Sequence, residues 1–303
     1  MTPTLSERYR GSLLGLACGD AVGTAVEFRS RGSFTQITGM IGGGPFGLQP
    51  GKWTDDTSMA LCLAESLLNK NGFDAKDQMG RYLNWWQWGY LSSTGDCFDI
   101  GMTVRQALNT FQTTGNPYAG STDPQSAGNG SLMRLAPVVL FYYPDVEQVL
   151  TSCANSSRTT HGAPEAIQCC MLLGLLLTKA LAGEPKSALL KLQSEAFSET
   201  KVIQLAAGTF IEKSRANITG SGYSVESLEA ALWCFHHTNS FEAAVLEATN
   251  LGDDADTTAA IVGQLAGAHY GVSNIPAHWL ELLHMRSDIE ATADALLRAS
   301  KAC

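Results

Sequence analysis

Apolar residues recur at spacings of three and four along most of the chain, which is the periodicity of a helix with a buried face. Short clusters of Gly, Pro, Ser, Asn and Asp separate these segments and are typical of turns. No run alternates β-branched and polar residues as a half-buried strand would. The pattern predicts an all-α fold with helices at Thr57–Leu68, Asp77–Tyr90, Ile100–Phe111, Ser131–Phe141, Ala163–Leu181, Lys186–Gln193, Glu199–Lys213, Ser224–His236, Phe241–Ala248, Thr257–Tyr270, Pro276–Leu283 and Asp288–Ala302.

A further helix near the N-terminus carries a glycine at every fourth position, namely Gly11, Gly15, Gly19 and Gly23. Residues four apart lie on one face of a helix, so these glycines form a single stripe. Because glycine has no side chain, another backbone can approach such a stripe closely. We therefore expect this helix to lie deep in a helical bundle.

Two stretches interrupt the helical pattern. Residues Arg29–Lys52 are rich in glycine, and residues Thr113–Asn129 are rich in Gly, Ser, Thr, Asn and Pro. Neither stretch has the charge or the length of a domain linker, so both are interpreted as loops packed on the helices. A chain of 303 residues could hold two domains. With no linker and no internal repeat, the sequence predicts one compact domain over residues 1–303.

Composition excludes several classes of protein. Hydrophobic residues make up 45% of the chain, which is enough for a large core and excludes extended disorder. The formal net charge is -9, which argues against binding of nucleic acid through a broad basic surface. No nucleic-acid partner is therefore expected.

The sequence also predicts a cytoplasmic location. None of the eight cysteines forms a Cys-x-x-Cys pair, and most stand in apolar segments, as buried reduced thiols do. The apolar run Cys169–Leu177 is shorter than the roughly 20 residues that cross a bilayer. The N-terminus lacks the apolar stretch of about 7–15 residues found in a secretory signal. We expect a soluble protein without a transmembrane segment.

Two clusters of Asp and Thr stand directly before predicted helices. The first is Trp53–Thr57 (WTDDT), and the second, about 200 residues later, is Gly252–Thr258 (GDDADTT). One cluster alone would fit helix capping, because Asp and Thr accept hydrogen bonds from the first-turn N–H groups. Carboxylate and hydroxyl oxygens are also the ligands that hard divalent cations favour. Two matching clusters indicate two halves of one cation site.

Weaker signals accompany the clusters. Asp99 stands between the apolar residues Phe98 and Ile100. It is interpreted either as a helix N-cap or as an acidic residue of a functional site. The small-residue turn Gly128–Arg134 enters a helix, and its N–H groups could hold phosphate. His161 stands in a polar loop before a helix, where an exposed or capping role is the ordinary interpretation. The segment Gly42–Gly47 fits G-x-G-x-x-G but lacks the flanking strand and helix of a dinucleotide site.

These motifs, in this order along the chain, resemble the ADP-ribosylglycohydrolase family. The resemblance runs from about residue 8 to residue 272, and Ser92–Gly95 followed by Cys97–Gly101 is most similar to the branch typified by dinitrogenase reductase-activating glycohydrolase. It implies a compact all-α fold with two divalent cations, Mg2+ or Mn2+, in a cleft. The motifs are Gly15–Gly23 (GLACGDAVG), Trp53–Thr57, Gly128–Arg134, Thr160–Gly162 and Gly252–Thr257.

The resemblance implies roles for individual residues. Asp99 would be the catalytic acid or base, with Glu27 as the next candidate. Asp253 stands where the family often has glycine, so its role is open. Metal ligands would be Thr54, Asp55, Asp56, Asp254, Asp256 and Thr257. Substrate contacts would come from Glu27, Phe98, the turn Gly128, Asn129, Gly130 and Ser131 at the diphosphate or distal ribose, His161 in the cleft, and Tyr223 stacked on adenine.

The implied activity is metal-dependent hydrolysis of the N-glycosidic bond between ADP-ribose and a protein arginine, which reverses mono-ADP-ribosylation. The partner is then an ADP-ribosylated protein, the product is ADP-ribose, and the enzyme is expected to be a monomer. Two alternatives stay open. One is hydrolysis of other conjugates, such as ADP-ribosyl-serine or O-acetyl-ADP-ribose. The other is a non-catalytic protein that binds ADP-ribose or confers immunity to a toxin, which retention of all six ligand residues disfavours.

Overall fold

Fourteen α-helices account for most of the residues that the computed structural model describes, which are 2–190, 192 and 195–301. Over those residues, extended pairing is limited to four isolated β-bridges between loops. The all-α prediction is confirmed. The helices are α1 Leu5–Gly23, α2 Asp55–Lys70, α3 Ala75–Trp88, α4 Met102–Thr114, α5 Ala136–Tyr142, α6 Val146–Arg158, α7 Pro164–Leu181, α8 Lys186–Leu189, α9 Thr200–Ala206, α10 Ser224–His237, α11 Phe241–Thr249, α12 Ala255–Tyr270, α13 Ala277–Leu282 and α14 Arg286–Ser300.

Some predicted helices differ in extent. The helix expected over residues 199–213 ends at Ala206, because Gly208 adopts a φ of +80° and a 3-10 turn follows. The helix expected from Ser131 begins only at Ala136, with Pro137 in its first turn, where its missing N–H costs nothing. Helix α8 ends at Leu189. The predicted ends Gln193 and Ala302 lie outside the described residues.

Helix α6 is absent from the sequence prediction. Its buried face carries a short apolar stripe that includes Val149, Cys153 and Ala154, but Ser152, Ser156 and Ser157 are buried beside it and make the stripe less conspicuous. Asp145 caps its start by accepting a hydrogen bond from the N–H of Gln148. The helix is recognisable from its cap together with this stripe.

Helices α1 and α12 pack antiparallel, backbone against backbone, at the centre of the fold. Every residue from Gly11 to Gly23 is buried. A Cβ placed on a stripe glycine would lie only 2.1–2.4 Å from backbone atoms of α12, a distance that real Cβ atoms do not reach. The close approach predicted from the stripe is therefore present. The facing pairs are Gly11 with Gly267, Gly15 with Gly263, Gly19 with Ala259 and Gly23 with Asp256.

Helix α7 forms another part of the core. By length and composition it is the single helix among the described residues that could cross a membrane, yet 67% of it is buried within the protein. Leu172, Leu173, Leu176 and Leu177 join the main hydrophobic cluster. This burial is that of a core helix.

The contact between α1 and α12 generates a prediction about stability. Replacing Gly15 with Ala should lower the free energy of unfolding by about 1–3 kcal/mol, because the added methyl group would overlap the carbonyl group of Gly263. Gly80 in α3 is the matched control, since a Cβ there meets nothing within 4 Å. Gly80→Ala should raise the free energy of unfolding by about 0.5–1 kcal/mol. Urea denaturation followed by circular dichroism measures both, and a Gly15→Ala protein as stable as the parent would contradict the packing.

Candidate active site

A cavity of about 1040 Å³ opens where the N-termini of α2, α4 and α12 meet the turn at residues 128–130. It collects most of the side chains that the sequence singled out. Four predicted residues do not line it. Thr54 and Asp56 lie buried just outside the lining, and Ser131 and Tyr223 are also absent from it. The predicted residues that line it are Glu27, Asp55, Phe98, Asp99, Gly128, Asn129, Gly130, His161, Asp254, Asp256 and Thr257.

The two Asp/Thr clusters meet in space although about 200 residues separate them. The Thr54 Oγ1 atom lies 3.3 Å from Asp256 Oδ2. The Thr257 Oγ1 atom lies 3.5 Å from Asp56 Oδ2. Each cluster begins a helix, α2 or α12, so the positive ends of two helix dipoles face the carboxylates.

The carboxylates are crowded and buried. Oxygen atoms of Asp20, Asp56 and Asp256 lie within 4.8 Å of one another, as do oxygen atoms of Glu27, Asp99 and Asp256. Burial raises the pKa of Asp56 and Asp256 well above the usual range, and neighbouring carboxylates raise it further. The same two causes raise the pKa of Glu27 to about 10 and that of Asp99 to about 7. The surrounding protein therefore supplies too little positive charge to balance these carboxylates.

The hydrogen-bond geometry fits a divalent cation. The Thr54 hydroxyl has one hydrogen, yet its oxygen lies 2.9 Å from Asp20 Oδ1, 3.0 Å from Asp56 Oδ2 and 3.3 Å from Asp256 Oδ2. Once it donates to Asp20, its lone pairs face two carboxylate oxygens. The Oδ1 atoms of Asp56 and Asp256 are buried without a hydrogen-bond partner among the described residues. Converging oxygen atoms without donors are the ligand set that Mg2+ and Mn2+ prefer.

Asp20 organises this site, although the sequence prediction gave it no role. Its Oδ1 accepts hydrogen bonds from the N–H and the hydroxyl of Thr54, at 2.8 and 2.9 Å. Its Oδ2 accepts from the N–H and the hydroxyl of Thr57, at 3.0 and 2.6 Å. Asp20 thus anchors the start of α2 to α1 and orients Thr54. The sequence signal was a lone carboxylate in the buried glycine stripe, where it needs partners.

Left-handed backbone holds three cleft residues in place. Phe28, Asp99 and Asp253 have φ values of 60°, 56° and 57°, which are uncommon for residues other than glycine and mark strain at many functional sites. The N–H of Phe28 donates to the carbonyl of Asp253, and the N–H of Asp253 donates to the carbonyl of Arg29. This pairing joins the segment after α1 to the start of α12, and so fixes Glu27 beside Asp254.

The turn at residues 128–131 is tied to the acid cluster through Asn129. Its Nδ2 donates to Asp254 Oδ2 at 2.7 Å and to Ser227 Oγ at 3.1 Å. Gly128 and Gly130 line the cavity on either side. The Ser131 hydroxyl instead lies inside the protein, 2.9 Å from Ser157 Oγ. A contact between Ser131 and substrate therefore stays a prediction.

Phe98 and Tyr223 occupy different settings. Phe98 lines the cavity and packs against Phe46, with ring centroids 5.1 Å apart. The Tyr223 hydroxyl hydrogen-bonds to Glu165 and accepts from Lys201 Nζ at 2.9 Å. Its neighbours Ser221 and Gly222 line the cavity, but the ring does not. A contact between Tyr223 and adenine therefore stays a prediction.

Comparisons with known proteins show which family the chain belongs to. The sequence model of the family described as ADP-ribosylglycohydrolase matches residues 1–303. The chain is 42% identical over 296 residues to "ADP-ribosylarginine hydrolase Tri1" of Serratia proteamaculans, covering 96% of this chain and 79% of that protein. It is 33% identical over 304 residues to "ADP-ribosyl-[dinitrogen reductase] glycohydrolase" of Rhodospirillum rubrum, covering 97% of each chain.

A solved structure gives the same result for the fold. It is described as an "ADP-ribosylglycohydrolase-related protein complex" and superposes with a TM-score of 0.88 at 46% sequence identity. The match covers 98% of this chain and 99% of that chain. The resemblance expected from the motifs is confirmed.

The crowded carboxylates generate a prediction about cation binding. Mg2+ or Mn2+ at 100 times its dissociation constant should stabilise the protein by about 2.7 kcal/mol, because it binds the folded state. Asp256→Asn should abolish this gain and raise the stability of the chelated protein, since it removes one of several mutually repelling buried charges. Thermal unfolding with Mn2+ and with chelator measures both.

Asp253→Asn is the matched control for that experiment. Asp253 lies one residue from a predicted ligand, is only partly buried, and has a left-handed backbone that Asn tolerates. We expect the cation-dependent gain to survive in this variant. A gain that survives in Asp256→Asn as well would contradict cation binding at this cluster.

Proposed function

The chain belongs to the ADP-ribosylglycohydrolase family, and we propose that it removes ADP-ribose from modified protein arginine by hydrolysing the N-glycosidic bond. The observation that carries this proposal is the meeting of two distant Asp/Thr clusters beneath one cavity, with Asp99 and Glu27 on its wall. Two relatives above 40% identity bear the name ADP-ribosylarginine hydrolase, which supports arginine as the linkage.

We propose that two divalent cations, Mg2+ or Mn2+, bind at the floor of the cavity. When bound, such ions supply positive charge that orients ribose hydroxyl groups and lowers the pKa of a coordinated water. Asp20 keeps Thr54 in position for this role through the hydrogen bonds described above. The residues that would hold the ions are Thr54, Asp55, Asp56, Asp254, Asp256 and Thr257.

Asp99 is the proposed catalytic carboxylate. Cleavage of a glycosidic bond builds positive charge at the anomeric carbon, which a carboxylate in the cavity stabilises. The Asp99 oxygen can accept the proton of the attacking water and pass a proton to the departing nitrogen, so that the guanidine leaves in its protonated form. Its left-handed backbone holds the carboxylate beside Glu27 and Asp256. Glu27 is the second candidate for the same role.

The diphosphate of the substrate is proposed to lie along the turn at residues 128–130. Gly128 and Gly130 present backbone without side chains there, and His161 stands behind them. Phe98, packed on Phe46, forms an apolar wall on another side of the cavity. Carboxylates would then lie near the ribose whose glycosidic bond is cleaved, and uncharged hydrogen-bond donors would lie near the phosphates. This division suits the chemistry of ADP-ribose.

We also propose that residues 1–303 form one such domain and that the protein acts as a cytoplasmic monomer on ADP-ribosylated proteins. The seven cysteines among the described residues form no disulfide, and all but Cys97 are buried, which suits a reducing compartment. Gel filtration of the full chain tests the monomer.

Asp99→Asn tests the catalytic assignment. We expect turnover of arginine-linked ADP-ribose to fall by about 10²–10⁴-fold, because the amide cannot accept a proton. Binding of ADP-ribose should persist, since the cavity keeps its shape. Asp96→Asn is the matched control: it makes the same change three residues away on an exposed side chain and should leave turnover intact. Unchanged turnover in Asp99→Asn would move the role to Glu27.

A second test compares linkages. Peptides that carry ADP-ribose on arginine or on serine are incubated with the protein in Mg2+ and in chelator, and released ADP-ribose is measured. We expect release from arginine only, and only with the cation. Preferential release from serine would overturn the linkage, and cation-dependent binding without release from either peptide would indicate a non-catalytic protein.

A further inference from the structure

Arg134 is a buried cation without an acidic partner. Its side chain is 0% exposed, and no carboxylate among the described residues forms a salt bridge with it. Its Nη2 donates to Thr160 Oγ1 at 2.7 Å, its Nη1 donates to the carbonyl of Gly130 at 3.0 Å, and its guanidinium lies 4.7 Å from the ring centroid of Tyr82. The Thr160 contact is the shortest of these hydrogen bonds.

That contact determines where the Thr160 hydrogen points. A guanidinium has donors and no acceptor, so the Thr160 oxygen must accept from Arg134. Its own single hydrogen is then free for another acceptor. Within the described part of the chain, the other partner of this oxygen is His161 Nδ1, at 2.9 Å. A proton on Nδ1 would leave the buried Thr160 hydroxyl hydrogen without an acceptor among the described residues, which is costly.

The opposite edge of the imidazole faces the cavity. A Cβ on Gly128 would lie 3.3 Å from His161 Nε2, and a Cβ on Gly130 would lie 2.8 Å from Cε1. Both glycines and His161 line the cavity. No hydrogen bond to Nε2 is found over the described residues, and the atom is not among the fully buried polar atoms. Nε2 is therefore available to a ligand.

A second set of buried groups holds the backbone of His161. Its N–H donates to the carbonyl of Ser157 at 2.7 Å, and its carbonyl accepts from Ser157 Oγ at 2.9 Å. Because the Ser157 hydrogen is used there, Ser131 donates to Ser157 Oγ at 2.9 Å, and Cys170 Sγ donates to Ser131 Oγ at 3.3 Å. These hydrogen bonds fix the backbone from which the imidazole projects.

We propose that Arg134 and Thr160 are positioning residues that lock His161 in the neutral tautomer with the hydrogen on Nε2. His161 then donates one hydrogen bond into the cavity, to a phosphate oxygen of ADP-ribose beside the turn at residues 128–130. Burial and the Arg134 charge also lower the pKa of His161 to about 3, so the ring is neutral near pH 7. The assignment of the acceptor rests on the proposed function, whereas the tautomer does not.

Nitrogen chemical shifts of the imidazole test the tautomer directly. Full-length protein labelled with ¹⁵N-histidine is studied by long-range ¹H–¹⁵N correlation, with the His161 signals assigned through His161→Gln. We expect Nδ1 to resonate as the unprotonated nitrogen and Nε2 as the protonated one. A protonated Nδ1 in the parent protein would overturn the proposal.

Thr160 variants then test the positioning role. In Thr160→Val the hydroxyl is lost, so the His161 ring should populate both tautomers and the Kd for ADP-ribose, measured in Mg2+, should rise about tenfold. Thr160→Ser should restore the parent tautomer and Kd. Thr159→Val is the matched control, because Thr159 is equally buried and hydrogen-bonded, to Ser156 and Gln78, but does not touch His161.

The outcomes separate this proposal from the proposed function. An unchanged tautomer and Kd in Thr160→Val would overturn the role of Thr160, as would equal changes in Thr159→Val. Failure to release ADP-ribose from arginine would contradict the proposed hydrolysis, while the nitrogen shifts and the Kd would still report on the His161 tautomer.

Discussion

The backbone of α1 lies directly against the backbone of α12, and the candidate site depends on that contact. Gly23 at the end of α1 faces Asp256 at the start of α12. This contact between the two helices, the α1–α12 seam, places residues 20–28 beside residues 253–257. A methyl group on the stripe would push the helices apart, because it would lie 2.1–2.4 Å from backbone atoms of α12. Asp20, on the same helix, then holds the start of α2 in place.

The residues that make the site suitable for ligand binding lower the stability of the folded protein. Several carboxylates are buried together, and their raised pKa values show that the folded chain alone does not compensate their charge. Two helix N-termini and Asn129 supply part of the compensation. The proposed divalent cations would supply the rest, which explains why the fold gathers these carboxylates. Proteins commonly carry such local destabilisation at functional sites.

The sequence was informative where the signal is local. The helical periodicity, the glycine stripe and the Asp/Thr clusters are each visible within a short window. Asp20 was missed because its partners stand 34 and 37 residues away, and α6 was missed because its apolar stripe is short and interspersed with Ser, Thr and Asn. The hydrogen bond of Ser131 to Ser157 and the hydrogen bonds that link Arg134 through Thr160 to His161 depend on which side chains meet across helices. No pattern along one segment specifies such meetings.

The seam between α1 and α12 also bears on how the chain is made. A ribosome adding about 5–20 residues per second needs roughly 10–50 s to pass from the first stripe glycine to the last residues of α12. During that interval α1, which is buried from Gly11 to Gly23 in the finished protein, has been synthesised but its partner has not. Helix α1 thus leaves the ribosome long before α12, and until α12 is made its glycine stripe lacks the backbone that covers it.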